Sequence, residues 1–229
     1  MAEKGGKNTQ FYEKLMKKFL RKVKKIPKEF VLWKLGGWLR IINKKEYPKN
    51  KDGKVFIHVG CGDCVDPRFI NLDTRPGLNI HVVEKVENID KVFNAEFADL
   101  IYACHILEHI QYSKVLDTVK KMRRCLKYGG VLRLSVPDFS TMVDMYKESN
   151  NIESILRPLL GGQGYEYNFH YSAFDEKYLR NILLEAGFKE VRWWDPKKAD
   201  DYNFDDWAGK KINLNGKDYP ISLNLEAVK

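Results

Sequence analysis

From residue 55 onward the chain alternates short, almost wholly apolar runs with segments of helical period. The apolar runs are Val55–Val59, Phe69–Leu72, Ile80–Val83, Leu100–Ala103, Val131–Val136, Glu190–Trp194 and Ile221–Val228. Short runs that lack polar alternation predict strands buried on both faces. Ser113–Cys125, Phe139–Glu148 and Asp175–Ala186 instead place apolar residues at helical spacing. Asp175 in the first turn and Gly187 just past the end of the last segment add start and stop signals. Strands alternating with helices predict an α/β chain folded as a doubly wound sheet.

Two stretches break the alternation. Asn150–Tyr171 fits neither period, is rich in Gly and Tyr, and predicts an insertion over the active face. At the N-terminus, Phe11, Leu15, Phe19, Val23 and Ile26 form a stripe with lysines opposite, stopped by Pro27, and a short apolar segment, Phe30–Ile42, follows. A polar linker at Tyr47–Lys54 separates this extension (residues 1–50) from the main domain (residues 51–229). The extension reads either as a basic amphipathic element resting on an anionic membrane surface or a partner, or as a helical cap with solvated lysines.

A chain of 229 residues with 44% hydrophobic content supports one sizeable core. No apolar stretch reaches the ~20 residues that span a bilayer. The lysine-interrupted N-terminus lacks a signal-peptide layout, and four cysteines do not make a disulfide framework. A cytoplasmic protein with free thiols is expected, peripheral at the inner membrane face if the extension binds lipid. The net charge of +9 is unevenly placed: residues 1–51 hold 16 Lys/Arg against 4 Asp/Glu, and the remainder 24 against 27. A near-neutral domain body argues against nucleic acid as a partner.

Polar residues gather where the apolar runs end. Gly60-Cys61-Gly62 follows the first run, Asp73 ends the second, His105, Glu108 and His109 follow the fourth, and Asp138 ends the fifth. In an open parallel sheet, ligands bind outside these carboxyl ends. The glycines let the backbone turn sharply, and Asp73 can accept hydrogen bonds from ribose hydroxyls; an ordinary tight turn with a surface aspartate is the plain alternative. Cys61-x-x-Cys64 has no second pair to complete a metal site.

In this order, GCG with FINLD, DLIYACHILEHI, LKYGGVLRLSVPD and FHYSAFDEKYLRNILLEAGFKEVRWW resemble the class I S-adenosylmethionine-dependent methyltransferases. Within that class the pattern resembles the small sugar O-methyltransferases of glycan biosynthesis. The resemblance implies a Rossmann-like seven-stranded sheet, mostly parallel with an antiparallel last strand, and helices on both faces. It also implies S-adenosyl-L-methionine across the strand ends. By position, Gly60, Cys61 and Gly62 would lie against the methionine part, Asp73 would hold the ribose diol, and Val86 and Glu87 would border adenine. Ala103 and His105 would lie near the sulfonium. Three features depart from the pattern: His58 stands on the cofactor side where an acid is usual, Lys85 replaces the adenine acid, and only ten residues separate Gly62 from Asp73. The last requires a very short or absent first helix, as in the glycan branch.

The sulfonium methyl is already activated, so positioning of the acceptor and a proton acceptor for its hydroxyl remain as the protein's tasks. His105 is the first choice for that base, with His170 competing; Asp138 could orient a histidine or bind an acceptor hydroxyl. Glu108 and His109 are either members of the site or helix-start groups. Asp138, Glu108 and the histidines could hold a divalent ion, but their spacing assigns none. The aromatic, acidic stretch Asp200–Trp207 suits carbohydrate recognition, a lid or core packing. Together these features predict methyl transfer to a sugar hydroxyl of a glycan or glycan precursor, with residues 1–45 near a membrane or a glycosyltransferase. Another small acceptor, or a non-catalytic binding protein on the same fold, are the alternatives.

Overall fold

The computed structural model describes residues 46–229; the helical stripe and membrane or partner segment expected within residues 1–45 lie outside the described residues. The described residues form nine strands: β1 (Phe56–Val59), β2 (Phe69–Asp73), β3 (Val82–Val83), β4 (Ala98–Cys104), β5 (Leu126–Pro137), β6 (Glu190–Trp193), β7 (Lys211–Leu214), β8 (Lys217–Pro220) and β9 (Ser222–Val228). Seven form one sheet in the order β3-β2-β1-β4-β5-β9-β6. β9 alone runs against its neighbours β5 and β6; the other pairs are parallel. This is the Rossmann-like methyltransferase topology, and its strand order reverses between β1 and β4, where an open sheet leaves a crevice.

One face of the sheet carries Ile57, Val59, Ile101, Ala103, Leu132, Leu134 and Leu225. It is covered by α1 (Ile89–Val92), α2 (Tyr112–Cys125) and α5 (Glu176–Glu185), through residues such as Val115, Val119, Leu179 and Leu183. α3 (Phe139–Ser149) and α4 (Glu153–Leu160) pack Met142, Met145 and Ile155 with Tyr219 and Ile221, forming a separate cluster with the β7–β8 hairpin. The opposite face is covered differently. No helix separates β1 from β2, so Phe56, Phe69, Leu100 and Tyr102 are covered instead by Trp194, Tyr202, Phe204 and Ala208. The stretch Asp200–Trp207 is therefore mainly a core cover, and neither a lid nor a sugar platform over most of its length.

Four other expectations shift. The run at Ile80–Val83 pairs only over Val82–Val83, because Ile80 N–H turns back to the Gly77 carbonyl at 3.2 Å. The β7–β8 hairpin was missed, although Asn215-Gly216, both at positive φ (52° and 82°), is its turn signal. Part of the irregular insertion is helical, as α4. The polar linker is tied down: Tyr47 packs against His81, Phe93 and Phe97, and the Asn50 amide donates to the Lys54 and Arg68 carbonyls. No helix among the described residues is long and apolar enough to cross a membrane.

Candidate active site

A cleft of about 420 Å³ opens over the carboxyl ends of β1, β2 and β4. Gly60 forms its floor at φ +64°, where a Cβ would overlap the Ile106 side chain, so any other residue here is strained and must displace Ile106. Its N–H donates to the Leu72 carbonyl at 2.7 Å, binding the turn to β2. Asp73 is buried beside it. One carboxylate oxygen accepts from Gly62 N–H (2.9 Å) and the other from Arg75 N–H (2.8 Å). The Thr74 hydroxyl and Arg75 Nε also lie 3.5 Å from the second oxygen, while the first has Gly62 N–H alone and keeps a lone pair for a ribose hydroxyl. Val59, Val86 and Ile106 give apolar wall, and Glu87, Lys85 and His105 also line the cleft. The insertion closes the far side with Tyr165, Tyr167, Phe169 and Tyr171, and Tyr165 stacks over the Arg75 guanidinium at 5.3 Å. A bare-backbone floor, a hydroxyl-accepting carboxylate and an apolar wall fit S-adenosylmethionine.

The other residues expected at the cofactor do not line this cleft. The alternation of β1 turns His58 to the opposite face, among the rings of Phe69, Tyr102 and Phe204. Burial lowers its pKa to about 4, against the opposing pull of Asp206, Asp73 and Asp66, so it is a neutral core residue. Cys61 is buried within the glycine turn, and burial pushes its thiol up to about 12. That keeps it protonated and unsuited to a metal. Gly62 reaches the site through Asp73, and Ala103 lies in the ladder opposite Val59.

A second group of side chains gathers just beyond β4. His105 sits at φ +53°, its N–H held by the Ser135 carbonyl at 2.8 Å. Its Nε2 is 2.8 Å from Ser222 Oγ, whose own hydroxyl donates to the Trp207 carbonyl at 2.7 Å. Ser222 Oγ therefore accepts, His105 carries its proton on Nε2, and Nδ1 is left as a lone pair. The ring stacks on Trp207. Burial first, then His170 and His109, push the His105 pKa down to about 3. A 3-10 turn (Leu107–His109) follows β4 here, so His105 and His109 do not share the face of an α-helix. Glu108 in that turn is 1% exposed, with no hydrogen bond to either carboxylate oxygen, and burial raises its pKa to about 8. His109 Nδ1 donates to the Phe169 carbonyl and His170 Nδ1 to the Pro158 carbonyl, each at 3.0 Å, and the two rings meet edge to face at 4.8 Å.

Asp138 is not part of this group. Its carboxylate caps α3, accepting from Ser140 N–H (3.0 Å) and the Thr141 hydroxyl (2.9 Å), so it orients no histidine. His170 stands behind His109 rather than on the cleft wall. Arg75 and Lys114, both on the cleft, were not anticipated. Arg75 carried a faint signal, two residues after Asp73; Lys114 carried none, since a lysine on a helix is ordinary.

The sequence matches, over residues 36–192, a protein family described as a methyltransferase domain. No curated protein matches it. Among solved structures it is similar to an S-adenosylmethionine-dependent methyltransferase from Archaeoglobus fulgidus: 14% identity, 92% of this chain and 99% of that one, TM-score 0.48. It is likewise similar to one from Methanosarcina mazei, with 16% identity, 82% and 96% coverage, and TM-score 0.48. A third is a possible histamine N-methyltransferase from Thermotoga maritima, with 15% identity, 76% and 81% coverage, and TM-score 0.47. With the family match over more than half its length and the sheet topology above, the chain belongs to the class I S-adenosylmethionine-dependent methyltransferases.

Proposed function

We propose that the enzyme methylates a sugar hydroxyl of a glycan or glycan precursor. The observation that carries this reading is His105: a neutral imidazole on the cleft wall, with an uncommitted Nδ1 lone pair, beside exposed aromatic side chains. Bound S-adenosylmethionine supplies a methyl group whose C–S bond breaks with its electron pair returning to sulfur as the acceptor's O–C bond forms. The protein's tasks are orientation and proton removal. A hydroxyl oxygen acidifies steeply as it becomes alkylated, so even a weakly basic imidazole takes its proton late in the step. Ser222 and the Trp207 carbonyl hold the ring for that transfer. The exposed faces of Tyr165, Tyr171 and Trp207 are suited to stacking on a pyranose ring.

The test is release of S-adenosylhomocysteine in the presence of a panel of free, nucleotide-linked and lipid-linked sugars, with catechols, quinols and amines alongside. Turnover confined to the sugars, and lost for the deoxysugar lacking the methylated hydroxyl, is expected. Turnover confined to amines or phenols overturns the reading.

A further inference from the structure

In the group beyond β4 the histidine ring protons are spent on Ser222 and on backbone carbonyls. In neutral histidine one ring nitrogen donates and the other accepts. A backbone carbonyl can only accept, so the bonds to Phe169 and Pro158 fix the proton of His109 and of His170 on Nδ1. Nε2 of each ring then carries the lone pair, with the His105 and Leu159 carbonyls also close to the His109 and His170 rings. Glu108 adds a buried carboxylate without a hydrogen bond, and one ligand atom from each of Glu108, His109 and His170 lies within 4.8 Å of the others. His105 Nδ1, also a lone pair, stands 3.4 Å from Glu108 Oε1 without hydrogen-bond geometry. An ionised carboxylate among such neighbours needs a cation to compensate it; without one the group keeps its proton.

We propose that Glu108, His109 and His170 bind one divalent first-row transition ion. Two imidazoles and one carboxylate leave open positions on the ion and favour Mn²⁺, Fe²⁺, Co²⁺ or Zn²⁺ over Mg²⁺ and Ca²⁺, which prefer all-oxygen shells. The carbonyls behind His109 and His170 are the outer-shell partners that fix metal-binding histidines. With ligand bonds of about 2.0–2.2 Å, movements of about 1 Å close the present shell. The loop bearing His170 is already held to the turn, since Tyr171 and Ser172 N–H donate to the Glu108 carbonyl at 2.7 and 3.2 Å. The ion would complete that tie.

Its use in catalysis rests on the hydroxyl reading above; its binding does not. An acceptor hydroxyl on the ion's open side is polarised and gives its proton to His105. The oxygen takes the methyl as the C–S electron pair goes to sulfur, and the ion keeps its oxidation state.

The experiment is calorimetric titration of chelator-dialysed, untagged full-length protein with Mn²⁺, Co²⁺, Zn²⁺ and Mg²⁺, without acceptor. One equivalent of each transition ion should bind, more tightly than Mg²⁺, and Co²⁺ should gain visible ligand-field bands. Glu108→Gln and His170→Ala should each weaken binding by at least roughly 10–100-fold. Cys64→Ser should bind as the unaltered protein does. Should a ligand variant fail to fold, ring ¹⁵N shifts of His109 and His170 on adding one equivalent of Zn²⁺ to the unaltered protein decide the matter. No saturable binding, binding that survives Glu108→Gln, or unmoved ring shifts would overturn the site. Sugar turnover without any bound ion would leave the acceptor reading standing and remove the ion's catalytic use.

Discussion

Two carboxylates are buried near β4 and are treated in opposite ways. Asp206 accepts from the hydroxyls of Tyr102 and Tyr202, each at 2.6 Å, and from Ala208 N–H at 3.0 Å. Glu108 accepts from nothing. The first ties residues 194–209 onto the face that lacks a helix between β1 and β2, and burial holds both tyrosine hydroxyls protonated as donors. The second stands beside the cleft among histidine lone pairs. Burial alone therefore does not mark a working group. A buried carboxyl group without hydrogen-bond partners is the more telling sign, because native structures satisfy nearly all such groups.

The sharpest break between the two regions is in turnover. His105→Ala should lower kcat by roughly 10²–10⁴-fold while cofactor affinity holds; initial rates and calorimetry together check this, and an unchanged rate removes His105 as the base. Asp206→Ala should act on the other side. It strands the hydroxyls of buried Tyr102 and half-buried Tyr202 and costs roughly 3–5 kcal/mol in denaturant unfolding. A loss below about 1 kcal/mol would mean the knot is not structural.

His58 sharpens the structural side further. Its pKa is about 4 in the folded protein and 6.5 ordinarily, so the unfolded chain takes up the proton first as pH falls. Its stabilising contribution is complete above pH 6.5 and is lost progressively toward pH 4. Asp206, Asp73 and Asp66 oppose that loss, while Phe69, Tyr102 and Phe204 enclose the ring. His58→Phe should shrink the stability difference between pH 7 and pH 4 by about 3 kcal/mol, from denaturant titrations at both pH values. The smallest effect belongs to Glu108→Gln. In chelator, unfolding should shift by less than about 1 kcal/mol, or toward greater stability, because no partner is lost. A large destabilisation would mean Glu108 is a structural carboxylate like Asp206.

The sheet was legible in the sequence because strands buried on both faces are locally apolar, and the GCG turn and Asp73 fall where such strands end. What covers the second face was not legible. Its rings, Tyr202 and Phe204, lie in an aperiodic segment more than a hundred residues from β1, and their aromatic, acidic character resembles a binding loop as much as a core. His58 was misplaced for a related reason: position in the motif suggested the cofactor, while strand alternation sends the side chain the other way. The role of Asp138 was read from its place at a strand end, but the same residue begins α3, and capping took its carboxylate. Glu108 and His109 were named but not resolved, since only the fold brings His170 beside them.

The central claim is a division of labour: Asp73 and the glycine turn hold the cofactor, and the group beyond β4 handles the acceptor. Its most direct test is calorimetric titration of S-adenosylhomocysteine into the unaltered protein, Asp73→Ala and Glu108→Gln, each confirmed folded. Binding that is lost in Asp73→Ala and retained in Glu108→Gln is the predicted result. Binding that survives Asp73→Ala, or falls equally in both, would contradict it.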